Sequence, residues 1–496
     1  MASLLPLIIF MASFITGIII FPMPNAAHRL RTFVNLFNAV LKIVLVSLLM
    51  WGVYHGNTYE FNFPLFLGFN IILNADALSL FFVILSAFLW LLTTIYAIGY
   101  LKDTPNQSRF FGFFSLCVSA TTGIALSGNL FTLLIFYEFL TISTYPLVVH
   151  KGTKESLAAG RIYLVYTLIG GAVLLFSMVW LSSLAGPAEF TERGILSGLS
   201  DEYYPQLRAI FALLIVGFGV KAAFVPFHGW LPKAMVAPAP VSALLHAVAV
   251  VKAGAFGIIR VVYDIYGIEF CHTIGVLQGL AVIAAFTIVY GSLRALAQDD
   301  LKLRLAYSTV SQVSYIALGV AISSPLATIG GIVHLIHQGI MKITLFFCAG
   351  NLAEGVGVKR ISQMDGIGRA MPITMTAFTI AALGMIGVPP MAGFISKWYL
   401  GMGALKAQQS WVIVILLISS LLNAAYFLPI INAVWFKEPD KEGAFDLSQK
   451  WFQVKKYLLW PPVITAVLVV LMGLFAGLPF SPLSWAKVIT FREYGY

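Results

Sequence analysis

The sequence predicts an all-α, polytopic membrane protein, and three observations predict it. Of 496 residues, 60% are hydrophobic and only 10% are charged, against about 45–50% and about 25% in a soluble domain. The mean hydropathy is +0.92. The apolar residues gather into about fourteen stretches of the roughly 20 residues that a spanning helix needs. So few charges cannot coat a water-soluble globule of this size, which excludes a soluble enzyme, a nucleic-acid binder and a disordered scaffold. The net charge of +10 is therefore read against a membrane, where Lys and Arg mark cytoplasmic loops.

The spans are placed at 3–21, 32–53, 78–101, 109–127, 130–149, 161–185, 207–228, 239–263, 270–291, 303–322, 326–350, 372–401, 409–435 and 458–478. The first is read as a membrane helix and not a signal peptide, because it has no positive n-region and no small-residue cleavage site. The longest loops are 54–77, 186–206 and 436–457. With both termini outside, nineteen Lys and Arg fall on inner loops, six on outer loops and five within spans, a bias of the sign that the positive-inside rule requires. The expected location is the cell membrane, with N-out and C-out orientation. Cys117, Cys271 and Cys348 form no CxxC, so zinc, iron–sulfur and disulfide readings lack their spacing. No GxGxxG follows a strand and no P-loop is present. No cofactor and no metal site are expected.

Six ionisable residues lie inside these spans: Lys42, Glu138, Lys221, Lys252, Lys342 and Lys397. Each costs about 2.5–3.5 kcal/mol at a helix centre on insertion scales, and such residues mark pathways for ions or protons. Lys221 precedes Pro226, and Lys397 follows Gly387, Pro389, Pro390 and Gly393. Proline frees a carbonyl four residues back, and irregular backbone at membrane depth is tolerated only inside protein or beside a wet cavity. His334, Gln338 and Lys342 recur at i, i+4, i+8 on one helix face, and His337 shares that side. Histidine titrates near neutrality and relays protons. Ser308, Ser311, Gln312 and Thr344 are candidates to complete a wire. Lys42 has no evident partner and is read as structural. Glu138 is taken as the only intramembrane acid.

Lys221 and Lys397 lie in the seventh and twelfth spans, five apart. Spans four to eight and nine to thirteen are thus two five-helix units, inverted because the number is odd, with paired broken helices as in secondary transporters. The units expected are an N-terminal three-helix segment at 1–108, a first five-helix repeat at 109–263, a second at 264–435, and a loop, last helix and tail at 436–496.

One stretch is more specific. From Lys221 to Gly254 it reads KAAFVPFHGWLPKAMVAPAPVSALLHAVAVVKAG. It resembles the hallmark segment of the proton-conducting antiporter-like membrane subunits. That family comprises subunits of respiratory complex I, of membrane-bound hydrogenases and of Mrp-type cation/proton antiporters. HLIHQGIMKITLFFCAG from His334, GVPPMAGFISKWYL from Gly387 and the mid-span Glu138 extend the resemblance over nearly the whole chain. The resemblance implies fourteen helices with two inverted five-helix repeats. It implies that Glu138 and Lys221 are the ion pair controlling proton uptake, that Lys252 is the central relay with His334 beside it, and that Lys397 is the exit-side lysine. Family members often carry a second His where this chain has Gln338, so His337 is the expected substitute. Several complex I members have Glu at the Lys397 position, which favours the other members. The chain ends soon after its last span, without the lateral helix of the largest complex I subunit or the appended domains of the A-type Mrp component. It looks most like the D-type Mrp component. The expectation is a secondary-transporter subunit, not an enzyme, that moves protons within a multisubunit Na+/H+ antiporter, with Na+ carried by neighbouring membrane subunits. The alternative is a proton-pumping subunit of a complex I-like or membrane-bound hydrogenase complex. A non-transporting assembly scaffold fits poorly with so many buried charges.

Overall fold

The computed structural model describes residues 4–66, 68–102, 104–438 and 455–495. Short polar caps start several of its helices. Asp76 accepts from Ser79 N at 2.6 Å to open α3 (Ala77–Tyr100), and Asn129 accepts from Thr132 N at 2.7 Å to open α5 (Leu130–Val148). Such a cap satisfies an N–H group that has no partner within the helix. Between them runs α4 (Gln107–Leu126), and before them α1 (Leu5–Ile20) and α2 (His28–Tyr54).

The chain continues with α6 (Lys154–Ala185) and α7 (Tyr204–Lys221). The latter stops at Lys221 and resumes as the short α8 (Trp230–Lys233). α9 (Ala239–Ala247) and α10 (Val250–Arg260) form one crossing, prolonged by a π-helical turn, Val261–Tyr266. After the short α11 (Ile268–Ile274) come α12 (Leu277–Leu296), α13 (Leu301–Ala321) and α14 (Pro325–Gly355). The next crossing is split into α15 (Pro372–Ile386) and α16 (Ala392–Lys406). α17 (Ser410–Phe436), α18 (Lys456–Leu474) and α19 (Pro482–Tyr494) complete the chain. Among the described residues eleven crossings are long and apolar enough to span a membrane. The short α1, the more polar α13 and the split α15–α16 bring the number to the fourteen expected.

α4 to α10 and α12 to α17 are the two five-crossing units. Each contains a broken helix at its fourth crossing, and the odd number of crossings inverts the second against the first. α14 runs through the middle, with every residue from 327 to 352 buried, and α10 is buried from end to end. α2, α6, α12 and α17 each turn an apolar face outward, with Phe33, Ile169, Phe286 and Leu421 among the most exposed side chains. Such a surface is stable only against lipid or another apolar protein.

Four sequence expectations are corrected. Loop 54–77 is not irregular: β1 (Glu60–Phe66) and β2 (Phe69–Asn74) pair antiparallel, and Leu73 bridges to Ser127 to pin the hairpin on the α4–α5 corner. The span drawn at 270–291 is two elements, because Gly275 adopts a left-handed conformation that ends α11. The eighth span is interrupted at Val248–Ala249, where Ala249 N bonds to Leu244 O, five residues back. The tail forms α19, tied to the start of α3 by Trp485 Nε1 donating to Ala77 O at 2.8 Å. Lys441 and Lys450, counted with the inner loops, lie outside the described residues. Both described ends of the chain emerge on the face that carries the hairpin, hereafter the hairpin face.

α10 seats directly on the broken end of α7. A side chain at Gly254 would collide with Ala222 N and Phe218 O, so glycine sets the approach of the two helices. Gly254→Ala is expected to cost about 1–3 kcal/mol by overpacking, read as a lowered melting temperature of the protein in micelles; an unchanged melting temperature would contradict this contact.

Candidate functional site

The break after α7 creates the first part of the site. Lys221 is its last residue, fully buried, at a helix end where unpaired carbonyls favour a cation. Its ammonium donates to the main-chain oxygen of Tyr137 on α5 and lies 3.3 Å from the centre of the Tyr137 ring. That ring face attracts a cation. Trp230, of the sequence HGWLP, donates Nε1 to Val220 O at 2.7 Å and packs edge-on against Tyr163. It thereby satisfies a carbonyl released by the break. Glu138, the residue after Tyr137, fits beside α6 because Gly171 has no side chain; a Cβ there would collide with the carboxylate. Oε1 of Glu138 has no hydrogen-bond partner among the described residues. Lys221 and Glu138 are within electrostatic reach, yet among the described residues they are not one of the ion pairs within 4.0 Å. They face each other through the Tyr137 main chain.

The second break gives a different construction. Lys397 lies on α16 and reaches back to the end of α15, donating to Met385 O at 3.1 Å, Ile386 O at 2.8 Å and Ser420 Oγ at 3.0 Å. The preceding residue, Ser396, bonds His334 Nδ1 at 2.9 Å. α14 and α16 are thus joined at adjacent residues. Lys252, His337 and Lys397 all lie within electrostatic reach of His334. Lys252 is fully buried, and its ammonium nitrogen has no partner among the described residues. It starts α10 just past the interruption at 248–249.

The stripe on α14 does not form one line. Eight residues of an α-helix turn about 800°, so i and i+8 diverge by about 80°. Accordingly His334 faces α16, while Lys342 donates to Leu305 O at 3.2 Å and Ser308 Oγ at 2.7 Å on α13, with Ser308 bonded on to Tyr426 at 2.8 Å. His337 and Gln338 are buried, with all their ring and amide polar atoms unpartnered among the described residues. Gln312, near His334, is likewise unpartnered. Ser311 bonds to Ser292 at 2.9 Å and Thr344 to Thr465 at 2.7 Å.

His246 stacks on Phe346 within electrostatic reach of Lys342 and Lys302. Lys302, read as a loop residue, instead enters the first turn of α13 and holds Met235 O and Ala237 O at 2.8 and 2.7 Å. It borders a cavity of about 360 Å³ on the face opposite the hairpin, lined also by Tyr100, Lys151, Glu354 and Lys359. Lys42 stands apart on α2. It is satisfied by Ser13 Oγ at 3.0 Å and Thr122 Oγ1 at 2.5 Å beneath Trp90. Glu138 is not the sole intramembrane acid: Asp264, one residue past the expected end of the eighth crossing, is buried in the π-turn that prolongs that crossing to Tyr266. Tyr137, Ser396 and Ser420 were not singled out from the sequence, and Trp230 only as part of the stretch that carries the resemblance. Tyr137 and Ser396 adjoin charged candidates, which is the only signal they carry.

Fold and site together define a membrane bundle that buries a row of ionisable side chains across two broken helices. Comparison with known proteins gives the class a family. Residues 127–423 match the model described as "NADH:quinone oxidoreductase/Mrp antiporter, TM", and residues 66–111 match "NADH-Ubiquinone oxidoreductase (complex I), chain 5 N-terminus". The chain belongs to the NADH:quinone oxidoreductase/Mrp antiporter transmembrane family. It is 36% identical over 416 residues to NADH-quinone oxidoreductase subunit N of Desulforudis audaxviator, covering 81% of each chain. It is 28% identical over 409 residues to the D-type component of the Na+/H+ antiporter of Bacillus subtilis, covering 82% of this chain and 80% of that one. Its fold superposes on a chain of the Mrp complex from Dietzia sp. with a TM-score of 0.87 at 22% identity, over 99% of this chain and 97% of that one.

Trp230→Phe keeps the ring contact with Tyr163 but removes the shorter of the two bonds to Val220 O, leaving that from Ala223 N at 3.2 Å, at a cost of about 0.5–1.5 kcal/mol. Amide exchange around residues 219–227 is expected to quicken while that of α14 does not; equal exchange in both proteins would remove Trp230 from its stabilising role.

Proposed function

We propose that this chain is the proton-translocating subunit of a multisubunit monovalent cation/proton antiporter of Mrp type, and that protons cross it along the row Glu138, Lys221, Lys252, His334 and Lys397. One observation carries the reading. Two lysines sit at helix breaks, a third lies buried with no partner among the described residues, and a histidine bonded to Ser396 lies within electrostatic reach of both the third and the last. An unpaired polar atom in a dry interior costs about 1–3 kcal/mol, and Lys252, His337, Gln312 and Gln338 present several such atoms side by side. Internal water bonded to them removes that cost and supplies the links between side chains.

In this scheme a neutral amine accepts a proton and an ammonium donates one. Glu138 sets the balance at Lys221, because a carboxylate nearby favours the charged amine and its withdrawal favours release. The cavity beside Lys302 supports a route for protons between the relay and the face opposite the hairpin. His337, Gln338 and Lys342 flank the row, Lys342 being tied to α13. The membrane potential acts on each transferred charge with about 2.3 kcal/mol per 100 mV. Sodium crosses in neighbouring membrane subunits, and both termini face outside. The proposed units are the three-helix segment, the two repeats and the last helix with its tail.

A second reading is favoured by the 36% identity to subunit N: the same row, driven by a redox module in a complex I-like or hydrogenase assembly. Purifying the complete complex and recording flavin and iron–sulfur absorbance separates the two. Under either reading, Glu138→Ala and Lys221→Ala are each expected to lower coupled transport by about a hundredfold, the scale of losing a proton-transfer group, with assembly intact on native gels. Wild-type transport in an assembled Glu138→Ala complex would sink the proposal. Lys42→Leu is expected to leave transport within about twofold, because its hydroxyl partners also bond to Phe10 O and Val118 O and the loss is confined to a structural contact; an inactive Lys42→Leu complex would make Lys42 part of the relay.

A further inference from the structure

On the hairpin face a second set of ionisable groups gathers, and the row described above does not use it. Arg260, near the end of α10, is 1% exposed. It donates to Asp76 Oδ2 at 2.6 Å and Oδ1 at 3.0 Å, to Asp264 Oδ2 at 2.9 Å and to Ser79 Oγ at 2.8 Å. Glu493 of α19 comes to the same place, with Asp264, Arg260 and Asp76 within its electrostatic reach. Its side chain is buried, and Oε2 has no hydrogen-bond partner among the described residues. Three carboxyl groups therefore gather about the Arg260 guanidinium, which bonds two of them directly. Like charges so close do not all ionise together, and Asp76 and Asp264 already hold the arginine. Burial first, and then Asp264, push the Glu493 carboxyl up to about 9, against the pull of Arg260. Burial also resists ionisation of Asp76, but Arg260 and the Ser79 N–H more than offset it and hold Asp76 below the usual carboxylate range.

This cluster is connected to the midplane. Thr328 lies six residues before His334 on α14, a rise of about 9 Å. Its hydroxyl is 2.8 Å from Tyr263 OH and 3.0 Å from Tyr494 OH. Tyr494 adjoins Glu493. Hydroxyls both donate and accept, so this chain is able to pass a proton. Asp264 shares a continuous helix with Lys252. At the other end the Asp76 side chain is 32% exposed and opens the cluster to the hairpin face.

We propose that Glu493, on the C-terminal helix, is the proton-release group of this subunit, discharging through Asp76 to the hairpin face. The inference rests on the proton-translocating reading above. Glu493 gives its proton to the Asp76 carboxylate and is recharged through Tyr494 and Thr328, each hydroxyl accepting one proton as it gives one up, with internal water carrying the incoming proton over the roughly 9 Å between the relay at His334 and Thr328. Asp76, held acidic by Arg260, loses the proton to water, so both carboxyl groups return to their starting states and no electron moves. The other titratable and charged groups facing the cluster are Glu192 and Arg193 of the loop before α7, the latter packed against Gly495 with its main chain beside Glu493, Tyr263 of the π-turn and Cys271 of α11.

The test uses the complete complex in liposomes, with pH varied on the hairpin side and fixed on the other, for wild type, Glu138→Ala, Glu493→Gln and Glu493→Asp. Glu493→Gln is expected to slow turnover by about tenfold or more and to flatten its dependence on hairpin-side pH, while the dependence on opposite-side pH stays as in wild type. Glu493→Asp is expected to restore part of the rate with a displaced hairpin-side profile. Wild-type rate and profile in Glu493→Gln overturn the inference; where that variant does not assemble, an undisplaced profile in assembled Glu493→Asp overturns it equally. If Glu138→Ala transports normally, the proton-translocating reading itself falls, which is distinct from normal Glu493 variants in a complex that Glu138→Ala inactivates.

Discussion

An ammonium group buried in an apolar bundle must find oxygen, and this constraint organises the molecule. The chain meets it in two ways and leaves one lysine without oxygen among the described residues. Lys42 and Lys342 bond to hydroxyls on neighbouring helices, with Lys342 adding a main-chain oxygen. Lys221 and Lys397 sit at broken helices and use main-chain carbonyls. Lys252 does neither. A lysine held by fixed protein oxygens is stabilised as a cation in one place. A lysine without them changes its charge at the smallest structural cost, and Lys252 is the one in the middle of the row.

The helix breaks supply those oxygens, but the two are not copies. In the first unit the lysine ends the helix, an aromatic ring lies under it and a carboxylate faces it. In the second the lysine stands on the far side of the break and reaches back to two carbonyls and a serine. Among the described residues no carboxylate takes the place beside Lys397 that Glu138 takes beside Lys221. The row is therefore polar along its length, with an acid at one end only. In the proposed relay, this asymmetry lets Glu138 bias one end while the other end stays fixed.

Much of this was legible in the sequence because lipid makes it so. Each span must be long and apolar, and each charge within one is conspicuous. Glu138, Lys221, Lys252, His334 and Lys397 were all visible for that reason. What escaped was whatever depends on main-chain geometry. The interruption at 248–249 has no proline or glycine to announce it. Ser396 bonds His334 only because α16 begins where the second break allows. The i, i+4, i+8 pattern at His334, Gln338 and Lys342 promised one line, yet the drift of the helix over two turns sends its ends to different neighbours. Arg260 was counted with the outer loops, since Asp76 and Asp264 approach it from a helix cap and a π-turn that periodicity does not forecast.

The sign of the charges also bears on what crosses. Two buried lysines, a partly buried third and a histidine face a single carboxylate along the row, and a hydrated sodium ion there meets ammonium groups in place of the oxygen cage that a hard cation takes. A proton needs no cage. It moves by converting one neutral base after another into its charged form, so each lysine that repels a metal cation is also a stopping place for a proton. Selectivity in the proposed relay thus comes from the same groups that carry the cargo, and a sodium path in such an assembly requires carboxylate-rich surroundings that the midplane of this chain does not assemble among its described residues.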